Sequence, residues 1–225
     1  MRRRLILFDI DGTLLRPLGI GRRSLDRAFA ERFGRADVFQ GVGFHGRTDP
    51  DIVAEGVERV GGDLADVPQL ISRYLDHLEA EVAASPSLLL PGVVSVLEAL
   101  QETPGVRLGL VTGNVRRGAE IKLARDGIGR YFKTGAFGDD STDRGELVRI
   151  ARARALEDGH EAVGARAVFH IGDTESDVRA ARFGDAVAVA VSTGGESHEH
   201  LASLLPDHLF RSLEPAALFV DTLLA

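Results

Sequence analysis

The chain has 225 residues, 44% of them hydrophobic and 27% charged, enough to bury one sizeable core or a core with a small accessory domain, and too apolar for general disorder. A formal net charge of −7 removes any general attraction to nucleic acid or anionic membrane, so an anionic substrate must be drawn in by a local positive site. The absence of cysteine excludes disulfides, thiolate nucleophiles and zinc–thiolate sites.

The chain starts Met1-Arg2-Arg3-Arg4, a basic run like that of a leader, but the apolar stretch Leu5 to Phe8 ends at Asp9 and is too short for one. No run approaches the roughly 18 apolar residues of a membrane span. A soluble cytoplasmic protein is expected. Leu5-Ile6-Leu7-Phe8 suits a buried parallel strand, as do Val106 to Val111, Ala167 to Ile171 and Ala186 to Val191. Each ends in a polar or glycine-rich turn, with helix-like sequence between. Val93, Val96, Leu97 and Leu100 mark one helical face, and Leu147 to Leu156 lies in another helix. The alternation predicts an α/β fold with a Rossmann-like, mostly parallel sheet.

Residues 16–89 differ. They show no strand, and Leu25, Phe29 and Phe33 are spaced by four. Asp49-Pro50 reads as an N-cap and first helical position, followed by Ile52, Val53, Val57 and Val60. Asp66 is placed to cap a third helix bearing Leu70, Ile71, Tyr74, Leu75, Leu78 and Val82. This predicts a helical bundle inserted after the first strand, with residues 1–15 and 90–225 as the α/β core.

Asp9-Ile10-Asp11-Gly12-Thr13 follows the first strand directly. In an open α/β sheet, ligands bind beyond the carboxyl ends of the strands. Further strand ends bring Thr112-Gly113-Asn114, the turn from Asp139 to Arg144, and Gly172-Asp173 with Asp177. Several carboxylates at one edge repel unless a cation joins them, and oxygen-only ligands suit a hard ion, Mg2+ above all. Mg2+ in turn suits a phosphate substrate. One carboxylate can attack phosphorus, and another two residues on can protonate the leaving oxygen and then activate water. Thr112, the amides of Gly113 and Asn114, and a basic side chain can hold the phosphoryl oxygens.

Asp9-x-Asp11-Gly12-Thr13, Leu110-Val111-Thr112-Gly113-Asn114 and Gly172-Asp173-x-x-x-Asp177, in this order, resemble the haloacid dehalogenase-like hydrolase superfamily over nearly the whole chain. The resemblance implies Asp9 as nucleophile and metal ligand, and Asp11 as general acid/base whose backbone carbonyl also meets the metal. It implies Thr112 on the phosphoryl group, Asp173 completing the metal site and Asp177 behind it. The insert resembles the helical cap of phosphoglycolate phosphatase and β-phosphoglucomutase relatives. The family's usual lysine is missing from Gly138-Asp139-Asp140-Ser141-Thr142-Asp143-Arg144. Arg144 is the expected substitute, since arginine binds phosphate through two hydrogen bonds. A cation in a first helical turn also opposes the helix dipole and calls for a nearby negative group. The chain's only lysines, Lys122 and Lys133, precede that turn and are weaker candidates.

Arg47, before the second inserted helix, is placed to reach the substrate, whereas Thr48 and Asp49 read as turn and cap. Phe39 and Phe44 either line the cavity or staple the bundle, and His170 reads as a core or strand-edge residue. The expected activity is Mg2+-dependent hydrolysis of a small phosphorylated metabolite through a phospho-aspartyl intermediate, by a monomer or homodimer. A phosphomutase, which returns the phosphoryl group to a sugar, and a catalytically silent binding protein are the alternatives. A dehalogenase fits less well because Asp11 is present, and a phosphonatase because the insert lacks a lysine.

Overall fold

The computed structural model describes residues 3–162 and 167–225. Met1 and Arg2 of the basic start lie outside the described residues. Six parallel strands form one sheet in the order β3-β2-β1-β4-β5-β6. They are β1 (Arg4–Phe8), β2 (Val106–Val111), β3 (Thr134–Ala136), β4 (Val168–Gly172), β5 (Val187–Val191) and β6 (His208–Phe210). The first strand is central: Phe8 pairs with Leu110 of β2 and with Ile171 of β4. All five residues of β1 are buried, which explains the unbroken apolar run that follows Arg4. Leu5 and Leu7 face one side with Val111, Leu147, Val148 and Val168, whereas Ile6 and Phe8 face the other with Leu108, Leu110 and Phe169. The edge strands β3 and β6 were not legible as separate apolar runs. Each has only three residues, too few to show a period.

Three helices lie between β1 and the return to the sheet: α1 (Ile20–Phe33), α2 (Asp49–Arg59) and α3 (Val67–Ala84). The helices α4 (Val93–Glu102), α5 (Arg116–Ala124), α6 (Arg144–Glu157), α7 (Glu175–Phe183), α8 (His198–Ser203) and α9 (Ala216–Leu224) complete the described residues. The two crossings into the inserted helices run side by side, with Arg16 N donating to Leu88 O at 2.7 Å and Leu90 N to Leu14 O at 3.0 Å. Burial on α3 follows the predicted stripe, with Leu70, Tyr74, Leu78 and Val82 inside. Each such side chain contributes roughly 1.5–3 kcal/mol when fully buried. Two cap assignments differ by local chemistry. Thr48, not Asp49, is the N-cap of α2, its hydroxyl accepting from Asp51 N at 3.4 Å, with Asp49 and Pro50 opening the helix. Asp66 precedes α3 without a capping bond because its carboxylate is drawn to Arg32 at 3.0 Å.

Aromatic rings fill the inserted bundle. Phe29 meets Phe39 edge-on at 4.9 Å, and Phe39 meets Phe44 edge-on at 5.5 Å. The rings close over Gly56, inside α2. Alanine there would gain about 1 kcal/mol of helix propensity. Its Cβ, however, would lie 2.6 Å from Phe39 Cζ and 2.7 Å from Phe29 Cζ. Overpacking of that kind costs about 1–3 kcal/mol, so the clash outweighs the propensity gain. Gly56→Ala is expected to lower the thermal unfolding midpoint by a few degrees, and a raised midpoint would show that the rings swing aside without cost.

Candidate active site

Four strand ends converge beneath the inserted helices, around a cavity of about 520 Å³ lined by Asp9, Asp11, Thr112, Gly113, Asn114, Arg144 and Asp173. Its far wall comes from the inserted segment, including Leu25, Phe44, Arg47, Asp49, Ile52 and Tyr74. Phe44 therefore lines the cavity, whereas Phe39 is wholly buried in the aromatic cluster.

Asp9 leaves the end of β1, where its N–H donates to Ile171 O at 2.9 Å. Arg144 opens α6 behind the N-cap Asp143, whose carboxylate accepts from Gly145 N at 2.8 Å. The negative groups that its place in the helix calls for are Asp9, 3.3 Å from Nη2, and Asp177, which the same nitrogen hydrogen-bonds. Asp177 is filled. Its Oδ1 takes Arg144 and, at 3.3 Å, His170 Nε2, and its Oδ2 accepts from Thr174 N and Oγ1. Burial alone would raise the Asp177 carboxyl, but Arg144 and His170 hold it well below the usual carboxylate range. Arg144, which burial would make easier to deprotonate, is instead held more firmly charged by Asp177 and Asp9. At Asp9 burial prevails and pushes the carboxyl up to about 6, against the pull of Arg144 and with help from Asp177 and Asp11.

Asp173 has the opposite problem. Thr13 Oγ1 donates to its Oδ1 at 3.2 Å, but Oδ2 is buried with no partner among the described residues. Burial, followed by repulsion from Asp177 and Asp9, pushes this carboxyl strongly up. A Cβ on Gly194 would lie 1.6 Å from Asp173 Oδ2, so only glycine leaves room for this carboxylate. Carboxylate oxygens of Asp9, Asp173 and Asp177 lie within 4.8 Å of one another. This oxygen-only cluster with one orphaned oxygen fits a hard cation. Because Asp177 is already saturated, Asp9 and Asp173 are the side chains open to it.

Asp11 faces another cation. Lys122 Nζ lies 2.5 Å from Asp11 Oδ2 and 2.6 Å from Asn114 Oδ1, and Asn114 Nδ2 donates to Asp11 Oδ2 at 2.8 Å. Burial works against the charge on Asp11, but these contacts outweigh it and lower the carboxyl. Lys122 therefore meets Asp11 rather than Asp9, a contact its place in the sequence did not suggest. A helical side chain leans toward the N-terminus of its helix, which carries Lys122 back from the end of α5 to Asn114. The signal was its spacing, eight residues past Asn114 on the helix that follows the Thr112 turn. Lys133 lies elsewhere, donating to Arg130 O.

Other expectations need adjustment. Asn114 was expected to offer its backbone amide to the phosphoryl group, but that N–H points to Thr112 Oγ1 at 3.3 Å, as in a threonine turn. Its side chain instead braces Thr112 and Asp11. Arg47 lines the cavity, yet its guanidinium is turned to Glu55 at 2.5 Å and Asp51 O at 3.3 Å. Asp49 is more than a turn residue. Its N–H donates to Gly113 O at 2.8 Å and its Oδ2 accepts from Val115 N at 3.0 Å, tying α2 to the Thr112 turn. Asp139, Asp140 and Asp143 are turn and capping residues, accepting from Arg116 N, Phe137 N and Gly145 N.

The profile of the haloacid dehalogenase-like hydrolase family matches residues 3–185. The chain belongs to that family. It is 29% identical to the phosphoglycolate phosphatase of Synechococcus elongatus over 92% of both chains. It is 25% identical to the pyrophosphatase PpaX of Oceanobacillus iheyensis over 94% of both. Among solved structures, CbbY from Rhodobacter sphaeroides in complex with phosphate shares the fold, with a TM-score of 0.74 and 21% identity over 98% of this chain and all of that one.

Burial pushes the Asp49 carboxyl up to about 6 from 3.8, against the pull of Lys122. The folded state then holds this proton more tightly than the unfolded chain. The Asp49 contribution to stability, on the order of 2–3 kcal/mol, is lost as pH rises from about 4 through about 6. Asp49→Asn, which keeps an acceptor for Val115, is expected to raise the urea midpoint near pH 7 and to leave it nearly unchanged near pH 4. An equal change at both pH values would assign the effect to packing.

Proposed function

We propose that the chain is a Mg2+-dependent phosphatase that hydrolyses a small phosphorylated metabolite through a phospho-aspartyl intermediate on Asp9. Phosphoglycolate, named in the S. elongatus relative, is the first substrate to try. The observation that carries this reading is the separation of Asp9 and Asp11 onto different cations, Arg144 and Lys122, at the floor of one cavity. Two carboxylates in distinct environments suit distinct roles, nucleophile and proton carrier.

In this reading Asp9 attacks phosphorus. Bound Mg2+, held by Asp9, Asp173 and the backbone carbonyl of Asp11, would neutralise the phosphoryl oxygens and offset the charge on Asp173. Asp177 serves from behind by fixing Arg144. Arg144 has Nε buried with no partner among the described residues, which leaves donors for the phosphoryl group. The Thr112 hydroxyl accepts both Asn114 N–H groups, so its own proton is left for a phosphoryl oxygen. Gly113 adds close backbone approach, and Arg47 bounds the leaving-group side. Asp11 protonates the leaving oxygen and then activates water.

Residues 16–89 act as a cap that closes over the site and excludes bulk water. Asp49 on Val115, and Ser176 Oγ donating to Gly46 O at 2.9 Å, support the closed position. No described helix is long and apolar enough to cross a membrane, and a cysteine-free chain suits a reducing compartment. We infer a cytoplasmic enzyme.

Phosphate release from p-nitrophenyl phosphate and from phosphoglycolate is the test, with Mg2+ and with chelator. Turnover is expected only with Mg2+, and Asp9→Asn should reduce it on the order of 10³-fold or more. Metal-independent turnover, or an active Asp9→Asn protein, would remove the proposed nucleophile.

A further inference from the structure

Lys122 is 7% exposed, and a buried ammonium needs a defined partner. It has two, Asp11 Oδ2 at 2.5 Å and Asn114 Oδ1 at 2.6 Å. Asn114 Nδ2 reaches the same Asp11 oxygen at 2.8 Å. Two donors thus crowd onto Oδ2. Asp11 Oδ1 has no hydrogen bond among the described residues, and Asp11 lines the cavity with its side chain 30% exposed. The two oxygens of this carboxyl are therefore not equivalent. A proton on Oδ2 would face an ammonium and an amide N–H, which makes Oδ1 the only favourable place for it.

We propose that Lys122 is a positioning residue for proton transfer. With Asn114 it occupies Asp11 Oδ2 and so leaves Oδ1 as the oxygen that faces the leaving group and exchanges the proton. This rests on the reading of Asp11 as proton carrier. In the first step the Asp9 oxygen bonds to phosphorus, the bond to the ester oxygen breaks, and that oxygen takes the proton from Oδ1. In the second, water attacks phosphorus, gives its proton to Oδ1, and the bond to Asp9 breaks. Lys122 exchanges no proton in either step. It is distinct from Arg144, which meets Asp9 and Asp177 on the nucleophile's side.

A residue that merely braces the fold affects every substrate alike. A residue that aims the acid matters in proportion to the leaving group's need for a proton. The test compares Lys122→Met with the wild type on phosphoglycolate, whose alkoxide leaves poorly, and on 2,4-dinitrophenyl phosphate, whose phenolate leaves unaided. The kcat/KM, which reports the first step alone, is expected to fall about 10²-fold or more on phosphoglycolate and by less than about tenfold on the aryl ester. Parallel losses on both esters, or no loss on phosphoglycolate, would overturn the proposal. If Lys122→Met does not fold by circular dichroism, Lys122→Gln carries the same comparison, and failure of both to fold would assign Lys122 to structure alone. A wild type inactive on both esters would instead sink the phosphatase reading itself. An active wild type with parallel losses removes only the role of Lys122.

Discussion

Charge neutralisation beneath the inserted helices is the constraint on which the rest of this structure depends. Asp9, Asp49, Asp173 and Asp177 are all buried, and Asp11 is partly so. Isolated charges in such a place would cost several kcal/mol each. The chain answers with two cations of different shape. The planar guanidinium of Arg144 spans two carboxylates, whereas the compact ammonium of Lys122 serves one carboxylate and one amide oxygen. Neither cation pairs with Asp49 or Asp173; Asp49 accepts from Val115 N, whereas the unpartnered oxygen of Asp173 marks where a metal ion would belong.

The same constraint shapes the backbone nearby. A Cβ at Gly194 or Gly12 would intrude on the Asp173 carboxylate, and one at Gly172 would meet Asp177 Cγ at 2.2 Å. Glycine at these turns lets carboxylates and backbone crowd together at the sheet edge. The Thr112 turn works similarly. The Asn114 backbone and side-chain N–H groups spend their hydrogen bonds on the Thr112 hydroxyl and on Asp11, which makes the turn rigid.

The inserted helices are joined to the sheet by more than their two crossings. Buried residues of α1, α2 and α3 continue into one hydrophobic cluster with Ile6, Phe8 and Leu110. Polar contacts then sit at the cavity rim, with Asp49 on Val115 and Ser176 on Gly46.

Local chemistry made much of this protein legible in its sequence. The central strands are long apolar runs because both faces of the sheet are covered. Asp9, Asp11, Thr112 and Asp173 follow strand ends, where an α/β sheet places its ligands. Arg144 announced a negative partner through its position in a helix. By itself, the sequence therefore determined the four inner strands, the inserted helices, the family and the acidic strand-end motifs. Only the tertiary structure decided which cation serves which carboxylate. Lys122 and Asp11 are 111 residues apart, and their pairing depends on how α5 packs beside the sheet edge. It also decided that Arg47 turns to Glu55, that Asp49 joins the Thr112 turn, and that Asp177 is saturated while Asp173 is not. These are competitions between charges brought close by packing, and no local pattern in the chain records their outcome.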